Sequence, residues 1–370
     1  MAEIHPVTMP TWGMSMTEGK ITGWSAALGD RISAGDELVE IETTKLTGTL
    51  EAHDGGGSLR RVIGEVGAVY PVGTLIGVIA SEDASEADID AFVAGFVVEA
   101  VGDGAEGGPR QEIVEIDGIS LNVVSTPEVE GRAPLLLIHG FGGESGNWAL
   151  TQSALAGQRQ VIAVDLPGHG KSSKAIDRPT PEAFATLLAR LIRHLGIERL
   201  HVAGHSYGGL VASMLAAKLG AKAASLTLVD PAGLSADKGA DYLNRFVAAE
   251  DRKALKEVMS LLFADSALVS RSMVAEMLDY RRIEGVQATL AAIAADYTAR
   301  SGSFGALPAD LAARTLAVWG EKDAIFPTTQ IDLLPKVAET HVIEGAGHMP
   351  HVESNSFNRI LQEFTARFDA

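Results

Sequence analysis

Over the first 80 residues the apolar positions come in short runs, such as 37–41 and 74–80, bounded by Gly, Asp and Pro. That is the patterning of β-strands and turns. The pattern also repeats: a shift of 38 carries Gly19, Ile21, Gly29, Gly35, Leu38 and Ile41 onto Gly57, Leu59, Gly67, Gly73, Ile76 and Ile79. Matched glycines imply matched turns, because glycine adopts positive φ without a steric penalty. Two copies are too few for a solenoid, so the expectation is two similar half-sheets packed face to face in one small all-β sandwich, residues 1–80. At the seam between the copies stands Glu42-Thr43-Thr44-Lys45-Leu46-Thr47, with a single lysine between two strand-like runs.

Beyond residue 110 the period changes. Apolar runs at 111–116, 120–125, 134–138, 160–164, 200–203, 225–229, 315–319 and 341–343 alternate with longer stretches, of which 181–195 and 357–368 have helical spacing. Alternation of this kind predicts an α/β sheet over 111–370. The later runs are almost continuously apolar, as in strands covered on both faces. Residues 81–110 read as a linker. An acidic run (Glu82, Asp83, Glu86, Asp88, Asp90) precedes an apolar stretch at 89–101 and the Gly-rich segment 102–109.

Composition narrows the chemistry. With 370 residues there is room for two cores. The absence of cysteine excludes disulfides, cysteine metal sites and a thiol nucleophile. Formal net charge is −18, with 6 Lys+Arg against 18 Asp+Glu in residues 1–110. This balance argues against a nucleic-acid partner, and it suits either docking on basic partner surfaces or the solubility of a mobile domain. Met1-Ala2-Glu3-Ile4 has no signal-peptide character and no run is long enough to span a bilayer, so the expected location is cytoplasmic, away from membranes.

The strongest motif is Gly204-His205-Ser206-Tyr207-Gly208, between the run 200–203 and a helical stretch. A G-x-S-x-G at a strand-to-helix junction is a nucleophile elbow, with Ser206 thrust above the sheet. His139-Gly140-Phe141-Gly142-Gly143 follows the run 134–138, where the second oxyanion donor belongs, so the N–H groups of Phe141 and Tyr207 are the expected oxyanion hole. An acid and then a histidine must follow the serine. Asp323 and His348 satisfy that order, with Asp230 as a rival acid and His351 as a rival base. His53, His169, His201 and His341 read as packing, turn or solvent residues, and the order rule removes His139 and His205 as the base.

With Asp165-Leu166-Pro167-Gly168-His169-Gly170-Lys171-Ser172, these motifs make residues 112–370 resemble the α/β-hydrolase family, with a helical cap at about 232–307. The cap carries Arg245, Arg252, Lys253, Lys256, Arg281 and Arg282. Solvated helix faces are the simplest reading of these charges, and binding of cofactor phosphates is the other. Residues 3–80 resemble a lipoyl domain through the repeat, the entry Met9-Pro10…Gly13…Met16…Glu18-Gly19 and the Lys45 turn. The common family turn has Asp before the lysine and Ala after it, where this chain has Thr44 and Leu46; the biotinyl turn has Met on both sides. The resemblance implies lipoic acid in amide linkage on Lys45.

The two halves together resemble the dihydrolipoamide acetyltransferase components of acetoin-cleaving dehydrogenase systems. That likeness implies a thiamine-diphosphate component that loads acetyl onto the lipoyl arm, coenzyme A as acceptor, and a flavin-dependent dihydrolipoamide dehydrogenase that reoxidises the arm. Two family features are missing: a small subunit-binding domain after the lipoyl domain, and the C-terminal His-x-x-x-Asp-Gly motif of the usual acyltransferase. Transfer would therefore fall to Ser206, Asp323 and His348. The alternatives are an ester or thioester hydrolase docked by its lipoyl domain, and a non-catalytic lipoyl carrier or scaffold.

Overall fold

The computed structural model describes residues 3–10, 16, 18–33, 35–43, 47–52, 57–96, 109–234, 238–300, 307–336, 338–354 and 356–369. The chain divides into two compact units, Met1–Gly108 and Pro109–Ala370.

The first unit is built from β1 (Ile4–Thr8), β2 (Glu18–Trp24), β3 (Arg31–Ile32), β4 (Glu37–Glu42), β5 (Thr47–Glu51), β6 (Gly57–Val62), β7 (Val69–Pro71) and β8 (Leu75–Ala80). They form two four-stranded sheets, ordered β1-β8-β6-β3 and β5-β4-β2-β7. Adding four to each strand number, cyclically, turns one order into the other, so the sequence repeat is a structural pseudo-symmetry. The halves do not each make a sheet, as expected from sequence; every sheet takes two strands from each half. The exchange interleaves the two halves of the repeat around one core. The repeated apolar positions fill that core, with Ile21, Leu59, Ile41 and Ile76 fully buried. The matched turns share their backbone: φ is 93° and 91° at Gly29 and Gly67, and 87° and 81° at Gly35 and Gly73. At each, an L-residue would be strained.

Strands β4 and β5 pair antiparallel, with Glu42 opposite Thr47. Lys45 falls in the connection between them, and Thr44, Lys45 and Leu46 lie outside the described residues.

The segment expected to be linker begins instead with a folded piece. Helix α1 (Glu86–Gly95) has a capping box, with Ser85 Oγ accepting from the Asp88 N–H and the Asp88 carboxylate accepting from the Ser85 N–H. Ile89 is fully buried and joins Leu75, Val78 and Ala80 of β8, with Phe92, Val93 and Phe96 alongside. The acidic residues are not simply solvated: Glu86 pairs with Arg60 and, at 2.7 Å, with Arg61, which also holds Asp90 at 2.6 Å. Residues 97–108 lie outside the described residues, and strand structure resumes at Arg110.

In the second unit β9 (Arg110–Ile116), β10 (Ile119–Ser125), β11 (Leu135–Ile138), β12 (Val161–Val164), β13 (Leu200–His205), β14 (Ala223–Val229), β15 (Thr315–Gly320) and β16 (Glu339–Ile343) occupy the eight runs read from sequence. Their order is β16-β15-β14-β13-β11-β12-β10-β9. The pairings among β11–β16 are parallel, and β9 and β10 add antiparallel. Side chains alternate across a strand, so Leu136 and Ile138 pack on one face of β11 and Leu135 and Leu137 on the other. Around the sheet lie α2 (Ala149–Leu155), α3 (Pro181–His194), α4 (Tyr207–Leu219), α9 (Ala309–Ala312), α10 (Pro350–Glu353) and α11 (Ser356–Ala366). Between β14 and β15 the chain forms α5 (Lys238–Ala248), α6 (Arg252–Met259), α7 (Arg271–Arg281) and α8 (Val286–Ala299). This cap shares the main core through Tyr242, Phe246, Leu255 and Leu290.

Arg281 departs from the reading of the cap charges as solvated faces or phosphate ligands. It is half-buried, and its guanidinium donates to the carbonyls of Ala249 (2.5 Å) and Val247 (2.7 Å) and to Gln287 Oε1 (3.0 Å), which ties α7 to the end of α5. Arg245 pairs with Asp241 on its own helix, and Arg282, just past the end of α7, pairs with Asp279.

Candidate active site

Strand β13 delivers Ser206 into a sharp turn ahead of α4. Ser206 has φ 53° and ψ −121°, a left-handed conformation that a non-glycine residue adopts only when its surroundings impose it. Here the turn is clamped from both sides. Ser206 N–H donates to the Val229 carbonyl at 2.9 Å, and its own carbonyl accepts from Gly209 (2.9 Å) and Ala232 (3.0 Å). The glycines are steric necessities: a Cβ at Gly204 would sit 2.2 Å from the Gly208 oxygen, and one at Gly208 would sit 2.3 Å from the His139 oxygen.

The His139-Gly140-Phe141 turn lies against this elbow. A Cβ at Gly140 would be 3.1 Å from Ser206 Cβ, so the backbone leading to Phe141 passes within contact of the serine. Tyr207 opens α4, and its N–H is one of the helix's unpaired amino-terminal donors. The Phe141 ring meets Phe246 of α5 edge-on, centroids 5.5 Å apart, which seats the cap over the turn.

The loop after β16 carries His348, fully buried. Its Nδ1 is 2.8 Å from Asp323 Oδ2, and Asp323 Oδ1 accepts from the N–H groups of Ile325 (2.7 Å) and Phe326 (2.9 Å). Burial alone raises the Asp323 carboxyl. The charge and hydrogen bond of His348, with help from Asp230 and the Phe326 N–H, outweigh burial and hold it below its ordinary value. His348 Nε2 is buried with no hydrogen-bond partner among the described residues, as are both ring nitrogens of His351; of the two rings, His348 is the one bonded to a carboxylate.

The rivals fall elsewhere. Asp230 is fully buried at the end of β14 with φ 41°. Burial, then the charge of Asp323, push its carboxyl well above the carboxylate range. It stands beside Asp323 and His348, and its Oδ1 accepts from the Gly320 N–H at 3.0 Å. His351 stacks on Trp148, centroids 4.3 Å apart, and burial and the nearby His348 push its pKa down to about 3. His139 accepts from Leu166 N–H, His169 from Gly142 N–H, His201 bonds Ser225 and Asp369, and His341 bonds Glu339. His53 lies outside the described residues.

Two further residues stand near His348. His205, removed as the base by the order rule, bonds the carbonyl of His348 through Nε2 at 2.7 Å, and Glu353 carried no signal in the sequence reading. Glu353 accepts from the N–H groups on both sides of His348, those of Gly347 and Met349. The Asp165 loop is structural. Its carboxylate accepts from Ser145 and Lys171 N–H and from Asn122 Nδ2, and a Cβ at Gly170 would collide with it at 2.0 Å.

A family model described as the alpha/beta hydrolase fold matches residues 133–354. A biotin/lipoyl model, described as biotin-requiring enzyme, matches residues 5–79. The chain is 41% identical over 358 residues to the dihydrolipoyllysine-residue acetyltransferase component of the acetoin cleaving system of Pseudomonas putida, covering 96% of each chain. The chain belongs to that family of acetyltransferase components. The Cupriavidus necator protein of the same description is 38% identical, with 97% of each chain covered. Among solved structures, an esterase from Thermogutta terrifontis superposes with TM-score 0.57 at 26% identity over 70% of this chain and all of its own. No helix among the described residues is long and apolar enough to cross a membrane.

Proposed function

We propose that this chain is a dihydrolipoyllysine-residue acetyltransferase that moves an acetyl group from a lipoyl thioester on Lys45 to coenzyme A, with Ser206, His348 and Asp323 as its catalytic residues. The observation that carries the reading is the 2.8 Å His348–Asp323 bond, with the far ring nitrogen unpaired, in a unit whose elbow strains Ser206 into φ 53°. Lys45 stands in the sequence between the paired strands β4 and β5, which supports its reading as the carrier of an amide-linked lipoyl arm. When bound, the lipoyl group supplies the acyl thioester.

Ser206 Oγ attacks the thioester carbonyl while His348 Nε2 takes the serine proton. The N–H groups of Phe141 and Tyr207 receive the oxyanion, each worth roughly 3 kcal/mol in the transition state. His348 then protonates the departing thiol, leaving acetyl-Ser206. The coenzyme A thiol gives its proton to His348 and attacks the acetyl carbonyl, and the proton returns to Ser206 Oγ. Asp323 fixes the tautomer and balances the imidazolium. Both half-reactions pass through similar tetrahedral states, so one oxyanion hole serves both.

Family membership supports partnership with a thiamine-diphosphate component that loads the acyl group and a flavin-dependent dihydrolipoamide dehydrogenase that reoxidises the arm, in a cytoplasmic complex. The expected result for Ser206→Ala is loss of acetyl-CoA formation by about 10⁴-fold or more, and wild-type turnover in that variant would refute the mechanism. The hydrolase reading uses the same triad with water, and product analysis separates the two as free acetate against acetyl-CoA.

A further inference from the structure

Three hydrogen bonds meet at one carboxylate beside the base. Glu353 Oε1 accepts from Gly347 N–H at 2.9 Å and from Met349 N–H at 3.4 Å. These are the peptide groups immediately before and after His348. Glu353 Oε2 accepts from Ala264 N–H at 2.8 Å. Ala264 lies 89 residues earlier in the chain, in the cap segment that follows α6. A Cβ at Gly347 would sit 2.4 Å from Ala264 N and 3.0 Å from Glu353 Oε1. The cap backbone therefore rests directly on the loop of the base. On its other side the loop is wedged against β15: a Cβ at Gly320 would be 1.7 Å from the Gly347 oxygen, and Lys322 N–H donates to the Ala346 carbonyl at 2.8 Å.

We propose that Glu353 is a positioning residue that holds both peptide planes around His348 and ties the cap to the catalytic base through Ala264. The proposal rests on the reading of His348 as the base. Its physical content is that His348 Nε2 is placed by the backbone on either side of it as well as by Asp323. A second consequence is that displacement of the cap at Ala264 is transmitted to the base through one rigid carboxylate. Ionised carboxylates make stronger hydrogen bonds than neutral acceptors. Glu353 is only partly buried, and burial raises its pKa while the three N–H donors and the charge of His348 oppose that rise.

The test uses the full chain with p-nitrophenyl acetate, and rates are normalised to the serine sites titrated by a fluorophosphonate probe. Glu353→Ala is expected to lower kcat per titrated site by about 10- to 100-fold, the scale of a misplaced catalytic group, with KM within about twofold. Glu353→Gln keeps one carbonyl oxygen for one side of the tie and should recover part of the loss. Ala264→Pro removes the cap-side donor and sets a ring carbon against Glu353 and Gly347. Phe263 before it is already extended, at φ −120° and ψ 148°, as a residue preceding proline prefers; this variant should lower kcat several-fold. Wild-type kcat per titrated site in Glu353→Gln and Ala264→Pro, with only a lower melting temperature, would reduce Glu353 to a stabilising contact and overturn the proposal. His348→Ala serves as the separate control. Retained turnover there would refute the base assignment itself, whatever the Glu353 variants do.

Discussion

Two aspartates near His348 show how environment assigns roles to chemically identical groups. Asp323 is bonded to the imidazole and held as an anion, whereas Asp230 behind it is kept neutral by burial and by the charge of Asp323. Two buried carboxyls in contact cannot both ionise, so the proton stays with the one that lacks a cationic partner. Asp323→Asn should therefore lower kcat by about 10³- to 10⁴-fold, because an amide cannot hold the imidazole in the required tautomer. Asp230→Asn keeps an acceptor for the Gly320 N–H and carries no charge beside Asp323, so steady-state rates within about tenfold of wild type are expected. Equal losses in the two variants would mean that the proton is placed on the wrong carboxyl. The sequence order rule left Asp230 as a rival to Asp323. Only the hydrogen bond to His348 separates them, since it depends on where β14 and β15 end in space.

At the scale of elements, what was legible followed from local rules. The eight strands of the second unit appear as apolar runs, and the pairs Gly29/Gly67 and Gly35/Gly73 announce turns because each needs positive φ. Two features were not legible in full. The apolar stretch from Ile89 suits a short helix or strand, but the start of α1 in the acidic run was hidden, because the partners Arg60 and Arg61 lie 26 to 29 residues earlier. Glu353 was hidden because its partners are backbone N–H groups, which every sequence has. Strands β4 and β5 add a pH-dependent feature of their own: Glu37 is paired opposite Glu51. Burial, then the charge of Glu37, raises the Glu51 pKa from 4.5 to about 7. The folded state thus keeps a proton that the unfolded chain releases by about pH 4.5, so the first unit's stability falls as pH rises from there to about 7. Glu51→Gln removes this dependence. Calorimetry of the full chain should show the variant gaining melting temperature over wild type at pH 7.5 and little or nothing at pH 4.5. A gap that does not change with pH would contradict the assignment.

On the scale of the whole molecule, one polypeptide carries both Lys45, the proposed acyl-bearing lysine, and Ser206, the proposed acyl-transferring serine, with no cysteine of its own. Joining two reacting modules by a short tether turns their encounter into an intramolecular event with an effective concentration on the order of mM. At about 1 μM chain, two separate molecules meet at roughly a thousandth of that concentration. A mixture of Lys45→Arg and Ser206→Ala chains puts the two halves to the test, since each variant lacks one function and retains the other. If transfer runs mainly within a chain, each variant alone is inactive. The mixture should recover activity that rises with the square of total concentration, and at about 1 μM it should remain far below wild type. The wild-type rate per chain should stay constant over the same range. Full recovery at 1 μM would instead place the productive encounter between chains. The fusion would then serve assembly of the complex, and the tether would not accelerate transfer.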